Sequence, residues 1–208
     1  IMNTLFHSPG TCSLGIHILL EEIGAPYELT LIDVTKGKQH LPDYLAINPK
    51  AKVPALQRAD GSLLTEWPAI AAWLALSNPD KKLLPTDTEG LARTLEAVDY
   101  IISTVHMHGF TRLWLPIHFS PNEADHPAIR EKGRQIFEKG LAHFNTQLEG
   151  RDYLGGESPS IADAALFYVT FWKVNRMKQE SPPNVAAHYA RMCQRPAVVR
   201  ALQMEGLM

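Results

Sequence analysis

The residue best suited to chemistry in this chain is Cys12, one of two cysteines in 208 residues. It follows a short apolar run, Thr4-Leu5-Phe6-His7, and a breaker, Ser8-Pro9-Gly10. A helical pattern begins at about Thr11. The first N–H groups of a helix have no intrahelical acceptor, and the helix dipole is positive there, so an anion is favoured. Cysteines at such positions titrate below the ordinary thiol, and the thiolate is the species that attacks carbon or disulfide sulfur. The competing reading is a small apolar packing residue, which cysteine also serves well. The motif is Cys12-Ser13-Leu14-Gly15, not Cys-x-x-Cys, so no second thiol resolves a mixed disulfide internally. A site of this kind turns over with a small external thiol, and in a reducing compartment that points towards glutathione.

Other residues extend the site. Val53-Pro54 opens an apolar strand, where proline cannot donate to a ladder. A cis bond there, uncommon even before proline, would present the Val53 N–H and C=O to a ligand backbone. Thr65-Glu66-Trp67 precedes a helix that starts near Pro68. Its N-terminus could hold a carboxylate, and Glu66 either accepts from a ligand ammonium or serves as a first-turn helix charge. His106 and His108, two apart on a helix, point in different directions and make a poor metal pair. No HExxH and no Gly-x-Ser-x-Gly occurs, so neither a metal centre nor a serine hydrolase is expected. Cys193, near a helix end before Pro196, reads as packing.

The elements that must carry these residues can be read from periodicity. Ile16, Leu19, Leu20 and Ile23 form one face of a first helix, stopped by Gly24. Tyr27–Ile32 is a second strand, and the β-α-β unit implies parallel pairing. A polar stretch covers 35–49. A strand at 53–57, a turn at Asp60-Gly61 and a strand at 62–64 form a hairpin. The next helix, from Pro68, is read with Ala69, Ala72, Trp73 and Leu76 inward. One sheet with helices packed on it satisfies this order. Turn formers between Asn78 and Thr86 mark a boundary, giving domains at 1–80 and 81–208. Helical patterns follow at 87–110, 123–149, 160–176, 185–193 and 196–204. Ser160-Ile161-Ala162-Asp163 reads as a capping box ahead of a buried stripe of Ile161, Ala165, Tyr168 and Trp172.

Composition sets outer bounds. The chain is 45% hydrophobic and 20% charged, with a net charge of −2. Without a basic field, nucleic acid and anionic membrane are not expected partners. No apolar run reaches spanning length. The first residues lack a basic region followed by an apolar one, so no signal peptide is expected. Two distant cysteines imply no disulfide framework, and reduced thiols in the cytoplasm are the expectation.

Taken together, these residues resemble the beta class of bacterial glutathione transferases over nearly the whole chain. The resemblance rests on Ser8-Pro9-Gly10-Thr11-Cys12-Ser13, Asn48-Pro49-Lys50, Val53-Pro54-Ala55-Leu56 and Leu64-Thr65-Glu66 with Ala69-Ile70. It continues in Ser160-Ile161-Ala162-Asp163-Ala164, Arg195-Pro196 and Glu205-Gly206-Leu207. It implies an α/β plus all-α chain: a thioredoxin-like N-terminal domain, then an all-helical substrate and dimerisation domain, in a cytoplasmic homodimer. Glutathione is the implied cosubstrate, without a metal. The second substrate is a small electrophile or a disulfide. The implied site has Cys12 at the glutathione sulfur and Val53, before a cis-Pro54, pairing with the cysteinyl part. Glu66 and the backbone of Trp67 hold the γ-glutamyl end, and a lysine at Lys36 or Lys38 meets the glycyl carboxylate. His106 lies near the sulfur, with His108 as its neighbour and competitor, and Asp99 reaches the partner subunit's glutathione. Phe110, Leu113, Trp114 and the 164–172 helix are the candidate lining for the electrophile.

One position departs from the resemblance. Trp67 stands where many relatives have serine, so a hydroxyl contact to the γ-glutamyl carboxylate is lost, at a cost of about 1.5–3 kcal/mol unless another donor substitutes. Trp67 itself is read as a candidate for a dimer interface. The alternative function is a non-catalytic protein on the same fold that binds glutathione or a hydrophobic ligand.

Overall fold

The computed structural model describes residues 2–208. The chain forms two compact units: residues up to Thr86 together with Arg191–Met208, and Asp87–Ala190. The sequence reading placed everything after residue 80 in the second domain. The segment Arg191–Met208 instead packs with the first unit.

The first unit starts β1 (Asn3–His7), α1 (Ser13–Ile23), β2 (Tyr27–Leu31), then a short α2 (Pro42–Ile47), β3 (Ala55–Gln57), β4 (Leu63–Thr65) and α3 (Trp67–Ser77). The sheet order is β2-β1-β3-β4. β1 runs parallel to β2, with Leu5 opposite Leu29, and antiparallel to β3, with Leu5 opposite Leu56. β3 and β4 form the hairpin expected at Asp60-Gly61, where Gly61 has φ +85°. The parallel pair follows from the α1 crossover, and the antiparallel pair from the tight turn. This is the thioredoxin-like arrangement of the first domain. α1 ends at Gly24, whose left-handed backbone lets its N–H reach the Leu20 carbonyl.

Two local expectations differ from the structure. The polar stretch 35–49 contains α2, whose Tyr44 is buried with Phe6, Ile32 and Ala55. In α3 the buried residues are Trp67, Ile70, Ala71, Leu74 and Ala75, whereas Leu76 is 68% exposed. The inward stripe is anchored by Trp67, one position before the proline at which the sequence reading opened the helix.

In the second unit α4 (Thr88–Asp99) is capped by Asp87, which accepts from the Gly90 N–H at 2.8 Å. It continues without a break into a π-helical segment, Tyr100–Phe110, and α5 (Thr111–Trp114). α6 (His126–Gln147) and α7 (Ile161–Phe171) follow, and a second π-helical segment, Trp172–Arg176, extends α7. α8 (Pro183–Cys193) leaves this unit, and α9 (Pro196–Met204) belongs to the first. The four sheet strands all precede Glu66; among the described residues the second unit has one isolated bridge, Tyr153 with Gly156.

The capping box before α7 is present. Ser160 Oγ accepts from the Ala162 N–H and Asp163 accepts from the Ser160 N–H at 2.7 Å. All of α7 is buried, not only the expected stripe. α6 packs closely on the π-helical segment through glycine. A Cβ on Gly133 would lie 2.6 Å from the Leu113 backbone nitrogen, and one on Gly140 would lie 2.4 Å from Val105 Cγ2.

Candidate active site

The turn before α1 is held by its own side chains. Thr11 Oγ1 donates to the Ser8 carbonyl at 2.8 Å, and Ser13 Oγ donates to the same carbonyl at 3.1 Å. Ser13 Oγ also accepts from the Ser8 N–H at 3.1 Å. Gly10, with φ +64°, makes the reversal that aims Cys12 at the start of the helix.

Cys12 occupies the N-cap of α1. Its Sγ donates to the Val53 carbonyl at 3.4 Å. The Val53–Pro54 bond is cis. The residue before it is fixed by two donors: Tyr44 Oη and Asn48 Nδ2 both donate to the Lys52 carbonyl, at 2.6 and 2.8 Å. Thus α2, absent from the sequence reading, and the Asn48 that caps it supply the side chains that hold the backbone next to Val53.

Glu66 and Trp67 lie at the junction of β4 and α3. Glu66 adopts φ +69°, ψ +124°, a strained backbone for a residue with a Cβ. Its exposed carboxylate accepts from Lys50 Nζ at 2.7 Å, and Lys50 also donates to Thr65 Oγ1 at 2.9 Å. Trp67 is 4% exposed, and its indole Nε1 donates to the Cys12 carbonyl at 3.0 Å. Its bulk lies inside its own unit, so the reading of Trp67 as a dimer-interface residue is replaced by a contact with the cysteine.

Lys36 pairs with Asp33 at 3.2 Å and is largely exposed; Lys38 begins the 3-10 turn Lys38–His40. Lys50 is the lysine beside Glu66, and its only sequence signal was the Asn48-Pro49-Lys50 motif.

A second residue missed in sequence is Glu205. Its buried carboxylate accepts from the Gly10 N–H at 2.8 Å and from His17 Nδ1 at 2.8 Å, and His7 Nδ1 lies 3.6 Å away. Burial alone would raise the Glu205 pKa, but the bonds from His17 and Gly10, with the His7 ring close by, outweigh it and hold the carboxyl below the usual range. His17 Nε2 meets Tyr27 Oη at 2.8 Å, and Tyr27 donates to Glu21. Burial, with the Glu21 carboxylate, raises the Tyr27 pKa.

In the second unit His106 is half-buried and His108 is exposed. His106 Nδ1 meets Tyr168 Oη at 3.1 Å, and its ring stands edge-on to Trp172 at 4.7 Å. Phe110 stacks on Trp172 at 4.2 Å and on Trp114 at 5.6 Å. The two π-helical segments thus supply an aromatic cluster. Asp99 is the exposed last residue of α4. Among the described residues no group of three or more His, Cys, Asp or Glu could hold a metal, and no helix is long and apolar enough to cross a membrane.

Comparison with known proteins identifies the family. The glutathione S-transferase N-terminal domain matches residues 10–76, and the glutathione S-transferase C-terminal domain matches residues 127–191. Glutathione S-transferase GstA of Escherichia coli O157:H7 is 40% identical over 98% of both chains. Disulfide-bond oxidoreductase YfcG of Escherichia coli K12 is 30% identical, covering 97% of this chain and 94% of its own. The crystal structure of a Sulfitobacter glutathione transferase homologue with bound glutathione superposes with a TM-score of 0.91, at 28% identity over the whole of both chains. The two domain matches and a 40% identity over nearly the whole chain settle the family: the chain belongs to the glutathione S-transferase family.

Proposed function

We propose that this enzyme binds glutathione along the first unit and uses Cys12 for glutathione-dependent thiol–disulfide exchange, with conjugation of small electrophiles as its second reaction. The observation that carries this reading is the position of the Cys12 sulfur: at the N-terminus of α1 and 3.4 Å from the Val53 carbonyl. A cysteinyl residue paired with the Val53 backbone brings its own sulfur beside that thiol. Glu66 receives the γ-glutamyl ammonium, and the Trp67 N–H meets the γ-glutamyl carboxylate. The strained backbone of Glu66 fits a residue held for a ligand. Lys36 or Lys38 meets the glycyl carboxylate.

In exchange, the Cys12 thiolate attacks the glutathione sulfur of a mixed disulfide. The old S–S bond breaks, a Cys12–glutathione disulfide forms, and the other thiolate leaves and takes up a proton. A second glutathione thiolate then attacks the glutathione sulfur of that adduct. Oxidised glutathione is released and the Cys12 thiolate returns. The proton lost by the second glutathione balances the one gained by the leaving thiol. In conjugation, glutathione thiolate displaces a leaving group from carbon, and the helix-terminal N–H groups favour that anion.

His106 serves as the proton-handling residue, its ring oriented by Tyr168. Trp114, 43% exposed, offers flat apolar surface to an electrophile, backed by the buried Phe110, Leu113 and Trp172. The enzyme works in the cytoplasm as a homodimer in which Asp99 approaches the partner subunit's glutathione.

Incubation with oxidised glutathione followed by intact mass tests the exchange reading. A single glutathione adduct that disappears in Cys12→Ala is expected. An adduct that persists in Cys12→Ala contradicts it.

A further inference from the structure

We infer that Trp67 is a positioning residue for Cys12, acting through its indole N–H as well as through its bulk. The inference rests on the reading of Cys12 as the reacting thiol.

The Cys12 carbonyl accepts from the Gly15 N–H at 3.2 Å and from the Trp67 indole N–H at 3.0 Å. Trp67 is the first residue of α3, directly after Glu66. The indole therefore spans from the N-terminus of one helix to the N-terminus of another. One carries the thiol and the other carries the glutamate. A buried indole N–H needs an acceptor somewhere. Here the acceptor is the backbone of the cysteine itself.

Two consequences follow. The bond fixes the Cys12 peptide, and with it the direction from which Sγ meets the Val53 carbonyl. It also changes the field at the sulfur. A carbonyl oxygen is the negative end of its peptide dipole, and a nearby negative end opposes a thiolate. An N–H dipole laid on that oxygen offsets part of its field. Trp67 thus makes the Cys12 thiolate easier to form and better aimed, while glutathione is held by other groups.

The test separates the N–H from the ring. Trp67→Phe keeps an aromatic ring and removes the donor. Replacement of Trp67 by benzothienylalanine keeps the bicyclic shape and exchanges only the N–H for sulfur, so it decides the matter if the phenylalanine variant folds poorly. Alkylation of Cys12 by iodoacetamide is followed against pH, with Cys193 distinguished by peptide mass. In parallel, kcat and KM for glutathione-dependent disulfide exchange are measured. In both variants the alkylation rate at pH 7 should fall about three- to tenfold, the curve should move to higher pH, and kcat should fall by a similar factor. KM for glutathione should stay within about twofold. Benzothienylalanine protein whose alkylation curve superimposes on that of the parent would overturn the inference, as would a loss confined to KM. The alkylation readout does not depend on glutathione. If Cys12→Ala retained full exchange activity, the functional reading would fall and the alkylation comparison would still judge the role of Trp67.

Discussion

The cysteine turn of the first unit and the aromatic cluster of the second are built on different principles. Around Cys12 nearly every constraint is a hydrogen bond with one geometry: Ser8 with Ser13, Gly10 with Glu205, the Cys12 carbonyl with Trp67, the Lys52 carbonyl with Tyr44 and Asn48. Around His106 the constraints described are mainly ring contacts, beside a hydrogen bond shared with Tyr168 Oη, on two π-helical segments. Hydrogen bonds specify direction, and buried ones are costly to lose. Stacked rings tolerate sliding and exchange of partner. The difference fits the proposed division of roles, with one sulfur placed in one way at Cys12 and an aromatic region set aside for the electrophile. π-helical turns are uncommon and cluster at functional sites, in agreement with this division of labour.

The comparison can be broken most severely at Cys12. Cys12→Ala should reduce disulfide exchange about a thousandfold or more, measured as kcat/KM with a glutathione mixed disulfide. Undiminished exchange would remove the reason for the rigid turn.

The next effect lies at Glu205. Glu205→Ala leaves the Gly10 N–H and His17 Nδ1 buried without their acceptor and should cost about 1–3 kcal/mol for each, read as a lowered denaturant midpoint. The sign of the pH dependence follows from the carboxyl's lowered pKa. A carboxyl with a depressed folded pKa adds stability above its unfolded value and loses it as pH falls through the folded value. The parent should therefore lose stability more steeply than Glu205→Gln when the pH drops below the ordinary carboxylate range. Parallel acid limbs for the two proteins would show that Glu205 does not anchor the turn electrostatically.

In the second unit the matching weakness is packing. Gly133→Ala would place a methyl 2.6 Å from the Leu113 backbone nitrogen and 2.7 Å from the Gly109 carbonyl oxygen. Overpacking against backbone should cost about 1–3 kcal/mol in thermal or denaturant unfolding. A neutral result would mean that α6 and the π-helical segment yield more readily than their contact implies.

A smaller and more selective effect is expected at Trp172. Trp172→Leu removes the ring on which Phe110 stacks and His106 rests. Conjugation of a flat aromatic halide should fall about tenfold in kcat/KM, near the scale of lost aromatic contacts. Disulfide exchange should change less than about twofold. Equal losses in both reactions would erase the proposed difference between the units.

The smallest effect concerns Lys50. Its bond to Glu66 joins two exposed side chains, and such pairs contribute about 0–1 kcal/mol. Lys50→Ala should leave the melting temperature nearly unchanged.

Much of the fold was legible because it is encoded locally. The apolar spacing of α1, the Gly24 stop, the Asp60-Gly61 turn and the Ser160 capping box are short-range signals, and each appears in the structure. The α3 stripe differs from the one periodicity suggests because the helix starts at Trp67, and Trp67, Ile70, Ala71, Leu74 and Ala75 form its inward face. Helical periodicity does not distinguish an α from a π segment over two turns, so Tyr100–Phe110 read as ordinary helix. At the site, Cys12, Val53 and Glu66 were visible as motifs. Glu205 on Gly10 and Trp67 on Cys12 were not, because those bonds join residues 195 and 55 positions apart. No local pattern announces such partners.

The central claim is that glutathione lies along the first unit with its sulfur at Cys12. A crystal structure of the protein soaked in glutathione tests it most directly. The predicted result has the cysteinyl backbone paired with Val53, the γ-glutamyl ammonium on Glu66, and the two sulfur atoms in contact or joined. Glutathione bound with its sulfur remote from Cys12, or a groove empty at saturating concentration, would contradict the account.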